Sequence, residues 1–215
     1  MNYYIDNIDI KTYGVYVSSS SGLISKPRPK RQSAMSWPGY NGEVVDLSVV
    51  VYEPRSIKLE CFIKASNKEQ FLAMAFTFLG LFDQPGTRRL MVDAGAAKPL
   101  VFEVYLDSAF DVEKAFDTAH NTGTFTLNLK EPEPIKRVLR YEVTDMAKVV
   151  NVTLTSAKLL NVYWGDGATT EDVSGTDKAI SHTYTTNGLY YILITGSIDQ
   201  ITSLTTNAIV IWEKI

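Results

Sequence analysis

Trp37-Pro38-Gly39-Tyr40-Asn41-Gly42 separates a basic, proline-spaced segment from the longest apolar run of the chain, Glu43 to Tyr52. Pro38-Gly39 and Asn41-Gly42 are turn dipeptides, and Gly39 and Gly42 can supply the positive φ angles of a tight reversal. Val44, Val45, Leu47, Val49, Val50 and Val51 predict a strand covered on both faces, ended by Pro54. Trp37 and Tyr40 flank the glycines. Substituting Gly39 by valine is expected to impair folding or assembly.

Upstream lies Lys26-Pro27-Arg28-Pro29-Lys30-Arg31, whose alternating prolines force an extended backbone unsuited to a central strand. Lys26, Arg28, Lys30 and Arg31 give it four positive charges. They suit equally an arm reaching a neighbour and a solvated connector. Residues 2–17 mix aromatic and β-branched residues into one or two strands with a bend at Gly14.

Downstream, Ile57, Leu59, Cys61 and Ile63 alternate with outward residues as a half-buried strand, in which Cys61 reads as a small core residue. Asn67, with Gln70 three residues on, forms a capping-box signature. The helical spacing of Phe71, Met74, Ala75, Phe78, Leu79 and Phe82 predicts one helix packed on a sheet, stopped by Asp83-Gln84-Pro85-Gly86. Further strands are expected at Arg88–Val92, Leu100–Leu106 and Thr124–Leu129. Phe110–Ala119 is expected to be a strand paired through a turn at Asn121-Thr122-Gly123. Glu131-Pro132-Glu133-Pro134 closes this unit.

A second unit is threonine-rich. Val149–Thr155, Leu159–Tyr163, Ile180–Tyr184, Leu189–Thr195 and Ala208–Trp212 are strand-like runs that suggest a small β-sandwich. The fold class is therefore mainly β: a sandwich or split-barrel-like domain with one packed α-helix, over residues 1–140, and a small immunoglobulin-like sandwich, over residues 145–215.

The 215 residues are 45% hydrophobic, enough for a substantial core. One cysteine excludes an internal disulfide, and with two histidines it cannot complete a four-ligand zinc site of nitrogen and sulfur. The formal charge of −3 and pI near 5.5 argue against nucleic-acid recognition. No apolar run reaches the roughly 18 residues of a membrane span, and Met1-Asn2-Tyr3-Tyr4-Ile5-Asp6 does not open a signal peptide, so cytosolic synthesis without export is expected.

Trp164-Gly165-Asp166-Gly167, with His182 downstream, places a carboxylate between two glycines, yet this is also tight-turn chemistry. A Ca²⁺ loop needs about six oxygen ligands, and only Glu171 and Asp172 are close in sequence. Gly165, Asp166 and Gly167 are accordingly read as a structural turn, and His182 and His120 as packed or surface residues. Phosphate-binding loops, dinucleotide fingerprints, His-Glu-x-x-His and Gly-x-Ser-x-Gly are all lacking. No catalytic residue, metal or cofactor is expected.

The order Tyr13-Gly14-Val15, Lys26-Pro27-Arg28-Pro29-Lys30, Trp37 to Gly42, Tyr52-Glu53-Pro54-Arg55-Ser56-Ile57 and Phe125-Thr126-Leu127-Asn128-Leu129, ending at Pro132, resembles the N-terminal domain of phage distal tail proteins. That resemblance implies a ring-forming domain, usually hexameric, between the tail tube and the host-adhesion machinery. Trp164 to Gly167, His182-Thr183-Tyr184 and Gly188-Leu189-Tyr190 resemble a PKD-type immunoglobulin-like domain, in which the Asp turn and the His-x-Tyr strand are structural signatures. Together they imply a non-enzymatic tail-tip or baseplate component of a phage or prophage, made in the bacterial cytoplasm. Its partners would be copies of itself, other tail proteins and a host-surface glycan or protein. The segment Ser18–Ala34 would make the ring contacts, with Lys26, Arg28, Lys30 and Arg31 as contact residues, and Trp37 and Tyr40 would be packing or subunit-contact residues rather than a ligand cage. The alternative is a surface adhesion or glycan-binding protein acting through the PKD-like unit.

Overall fold

The structure is a computed structural model, and it describes residues 1–30, 34–46, 48–116 and 121–215. The chain is mainly β, with antiparallel sheets and, among the described residues, one α-helix. No described helix is long and apolar enough to cross a membrane.

The first sheet contains β1 (Asn2–Ile5), β2 (Ile8–Asp9), β3 (Val15–Ser21), β6 (Arg55–Ala65), β7 (Arg88–Asp93), β8 (Leu100–Leu106), β9 (Glu113–Phe116) and β10 (Asn121–Glu131). Its order is β2-β1-β7-β8-β10-β6-β3, with β9 paired to β10. Strands β8 and β10 share only Leu106↔Leu129 and Tyr105↔Lys130. That short seam lets the two halves curl over a common core, where Leu90 and Phe102 from one half meet Leu59 and Leu127 from the other. The period-two pattern on β6 is kept: Ile57, Leu59, Cys61 and Ile63 are buried, and Ser56, Lys58 and Glu60 are exposed. Burial pushes the Cys61 thiol up to about 12, so little thiolate forms near neutral pH.

Helix α1 (Lys68–Leu79) begins where the capping signature predicts. The Asn67 side chain accepts from the Gln70 backbone N–H at 2.8 Å, and Gln70 Oε1 reaches back to the Ser66 N–H at 2.9 Å. Phe71, Ala75 and Phe78 face the core. The expected turn at Asn121-Thr122-Gly123 is instead the start of β10, where Asn121 pairs with Phe116 and Gly123 with Lys114. The pairing of the preceding strand with β10 is as expected, but Asn121, Thr122 and Gly123 are themselves paired residues of the ladder. His120 lies outside the described residues.

The second sheet contains β11 (Lys136–Val143), β12 (Val149–Tyr163), β13 (Thr169–Thr183), β14 (Gly188–Gly196), β15 (Ile201–Thr206) and β16 (Ile209–Trp212). The changeover between sheets falls at Pro132–Pro134. Lys136–Val143, read from sequence as a lead-in, is a strand between β14 and β16. The two runs expected at 149–155 and 159–163 are one strand, bulged between Leu154 and Leu160. Its first half pairs with β15 and its second with β14, and both halves supply one core through Val152, Leu154, Leu160 and Val162.

The two units share an apolar contact. Strands β11 and β14 present Val138 and Leu193 to Val101 of β8. On this outer face of β7 and β8 the cross-strand pairs Arg89↔Glu103 and Met91↔Val101 point at the second unit, while Leu90 and Phe102 point into the first core. Both faces of β7 and β8 are therefore covered at these positions, which suits the apolar run of β8, broken by Glu103.

Candidate assembly surface

Between β3 and β6 the chain leaves the sheet. Pro29 bridges Tyr52, with the Lys30 N–H donating to Val51 O at 2.8 Å and the Glu53 N–H to Arg28 O at 2.7 Å. Farther out, β4 (Ala34–Met35) pairs with β5 (Val44–Val45). The two passages form a ribbon whose far turn is Trp37 to Gly42. Pro38 followed by Gly39 at φ +84° is the arrangement of a type II turn, and the Tyr40 N–H closes it on Trp37 O at 3.1 Å. Gly42 is also left-handed, at φ +93°, and a Cβ at either glycine would meet nothing within 4 Å. The turn chemistry is local to Trp37–Gly42.

The expected strand from Glu43 to Tyr52, covered on both faces, is not what forms. Only Val44–Val45 is paired as a strand, and Val44, Val49, Val50 and Val51 are exposed. Val49, Val50 and Val51 line a groove with Pro132, Pro134 and Gly196, yet they and Met35 remain exposed. Trp37 and Tyr40 are 56% and 59% exposed. At the base Lys26, Arg28 and Lys30 are exposed. Arg28 reaches Glu53 only at 3.9 Å, and the Lys26 ammonium lies 6.0 Å from the Tyr52 ring centre. Arg31, the fourth charge of the arm, and Leu47 of the apolar run lie outside the described residues.

The turn in the second unit has the opposite character. Trp164 is buried, its indole N–H donating to Thr170 Oγ1 at 2.9 Å, and its carbonyl accepts from the Tyr184 hydroxyl at 2.7 Å. Asp166 Oδ1 accepts from the Ala168 N–H at 3.1 Å, and Oδ2 sits 2.7 Å from His182 Nε2. The His182 ring stacks on Trp164 at 5.2 Å. Both carboxylate oxygens are thus occupied by the chain itself, and no cluster of three or more His, Cys, Asp or Glu suited to a metal occurs among the described residues.

Gly165 carries this turn against the first unit. A Cβ there would meet an Arg89 guanidinium nitrogen at 2.6 Å and Tyr191 O at 2.8 Å, at φ +100°. Arg89, nearly fully buried, donates to Glu103 Oε1 through Nε at 2.6 Å and to the Tyr191 carbonyl, so it latches the units together. Gly167 has a similar φ of +93° with open space around it. Gly165→Ala should therefore lower the melting temperature clearly more than Gly167→Ala. Each bears backbone strain of about 1–3 kcal/mol, and only the first also displaces Arg89.

Sequence reasoning missed a buried ion cluster at the seam. Lys136, fully buried, is ion-paired with Glu131, and Arg55 Nε lies 3.4 Å from the other Glu131 oxygen. Arg55 also donates to Leu23 O and Pro134 O, both at 3.2 Å, and both cations lie over the Phe102 ring. Three charges held by one another and by backbone carbonyls in a closed site serve structure, not a ligand.

No protein-family model matches the chain, and no curated protein matches it significantly in sequence. The fold is similar to that of SPP1 Dit. The crystal structure of that protein, described as a paradigm of the hub adsorption apparatus in phages infecting Gram-positive bacteria, matches with a TM-score of 0.51 at 12% identity. The match covers 88% of this chain and 77% of SPP1 Dit, so it extends over both sheets. At this identity the likeness to SPP1 Dit is one of fold.

Proposed function

We propose that this protein is a non-enzymatic structural component of a phage or prophage tail tip, in which copies assemble into a ring that links the tail tube to host-adhesion proteins. The observation that carries this reading is the exposed apolar ribbon on a Dit-like fold. Trp37, Tyr40, Met35 and the Val49–Val51 run are all exposed on this one excursion of the chain. A contiguous surface of this kind is a partner site or an aggregation liability. Aromatic anchors beside arginine and lysine are also the composition of interface cores and rims. The second sheet projects from the first as a PKD-type module, a reading supported by the packing of Trp164, Asp166, His182 and Tyr184. Its role is contact with another tail protein or with the host surface.

Negative-stain electron microscopy of the purified chain, concentrated or mixed with its tube protein, should show closed rings. Monomers alone under both conditions would overturn the proposal.

A further inference from the structure

A groove of about 680 Å³ lies on the first sheet, away from the ribbon. It is lined by Glu60 and Phe62 of β6, by Thr124 and Thr126 of β10, and by the segment carrying Phe110, Asp111 and Glu113. No ribbon residue lines it. Beside it Tyr16 of β3 stacks on Phe62 at 5.2 Å and remains more than a third exposed. Strand β3 ends the path of the sheet, so an open backbone edge adjoins the groove. The groove thus offers acids around aromatic rings.

We propose that this groove receives the ribbon of a second copy of the chain. The inference rests on the self-association proposed above and names its acceptor. Charge complementarity points to this occupant: the ribbon base presents Lys26, Arg28 and Lys30, and the groove presents Glu60, Asp111 and Glu113. Among the described residues Lys30, Asp111 and Glu113 form no ion pair within the chain, whereas Glu60 is already shared with Lys58 at 2.9 Å. Asp111 and Glu113 are therefore the main acceptors. Ribbon and groove are different surfaces of one molecule, so the contact is head-to-tail. Such contacts propagate and close into a ring when the rotation between copies permits.

Sedimentation velocity on the full chain tests the pairing. Arg28→Glu with Lys30→Glu, and separately Asp111→Lys with Glu113→Lys, should each weaken assembly at least about 10-fold. Combining all four should restore it to within a few-fold. All four positions are exposed, so thermal melting of each variant should match the parent. If one variant does not fold, raising salt from about 0.05 to 0.5 M on the parent should weaken assembly steeply through screening. Reversals that leave assembly intact, or a four-fold variant as defective as its parents with its fold retained, would overturn the groove as acceptor while leaving self-association standing. A parent chain that never assembles would overturn both.

Discussion

Glu131→Ala should lower the unfolding free energy by about 3–5 kcal/mol, read as a shift of the urea midpoint. The substitution leaves Lys136 and Arg55 buried with no anion between them, and the packed strands bar the water that could solvate them. Adding Lys136→Met to Glu131→Leu should recover part of the loss, because it removes one of the two stranded charges while Arg55 stays buried with only the Leu23 and Pro134 carbonyls as partners. Burial lowers the Lys136 pKa to about 8, and the attraction of Glu131 opposes that without cancelling it. An unfolded lysine titrates near the ordinary value of 10.5, so between about pH 8 and 10.5 the unfolded chain binds more protons than the folded one. In that window Lys136 makes stability rise with pH, and a Lys136→Met variant should lack this component of the slope. Equal slopes for parent and variant would show that the ammonium is better solvated than its burial indicates.

The second large effect is on assembly. Trp37→Ala with Tyr40→Ala should weaken self-association by at least about 100-fold, since buried aromatic anchors at an interface centre are each worth about 2 kcal/mol or more. Both side chains are more than half exposed in the single chain, so its melting temperature should hardly change. Gly39→Val reaches the same site through the backbone. A β-branched residue is strained at φ +84°, yet no neighbour would be struck, so the ribbon should lose its turn while the two cores persist. The effect first expected on folding or assembly thus falls on assembly. Sedimentation velocity beside thermal melting separates the two, and a normal assembly of either variant would remove the ribbon tip from the interface.

Why the ribbon was misread as a covered strand is instructive. An apolar run reports that side chains need cover, but not that the cover comes from the same chain. Val44 to Val51 satisfies the pattern of a buried strand, yet Val44, Val49, Val50 and Val51 stay exposed. The β6 strand and the helix were legible because periodicity and an Asn67 cap act locally. The ion cluster was half legible. Continuing the alternation Phe125, Leu127, Leu129 by one step turns Glu131 inward, and continuing Ile63, Cys61, Leu59, Ile57 backward does the same to Arg55, which pairs directly with Glu131. Nothing local marks Lys136 as their third member, because its burial depends on how the second sheet docks. The long β12 was seen as two runs because its bulge between Leu154 and Leu160 interrupts the alternation.

The seam between the sheets also bears on mechanics. Asn7 bonds Gly165 O at 3.1 Å, Arg89 holds the Tyr191 carbonyl, Arg55 holds Pro134 O, and the Trp212 indole N–H reaches Pro99 O at 3.1 Å. These ties are spread across the seam rather than gathered at one pivot, and the linker at Pro132–Pro134 is short and largely covered. A pull on the far end of β13 would load several of them in shear at once. The molecule would pass that force to its base as a stiff bracket, with little of the displacement lost in swivelling.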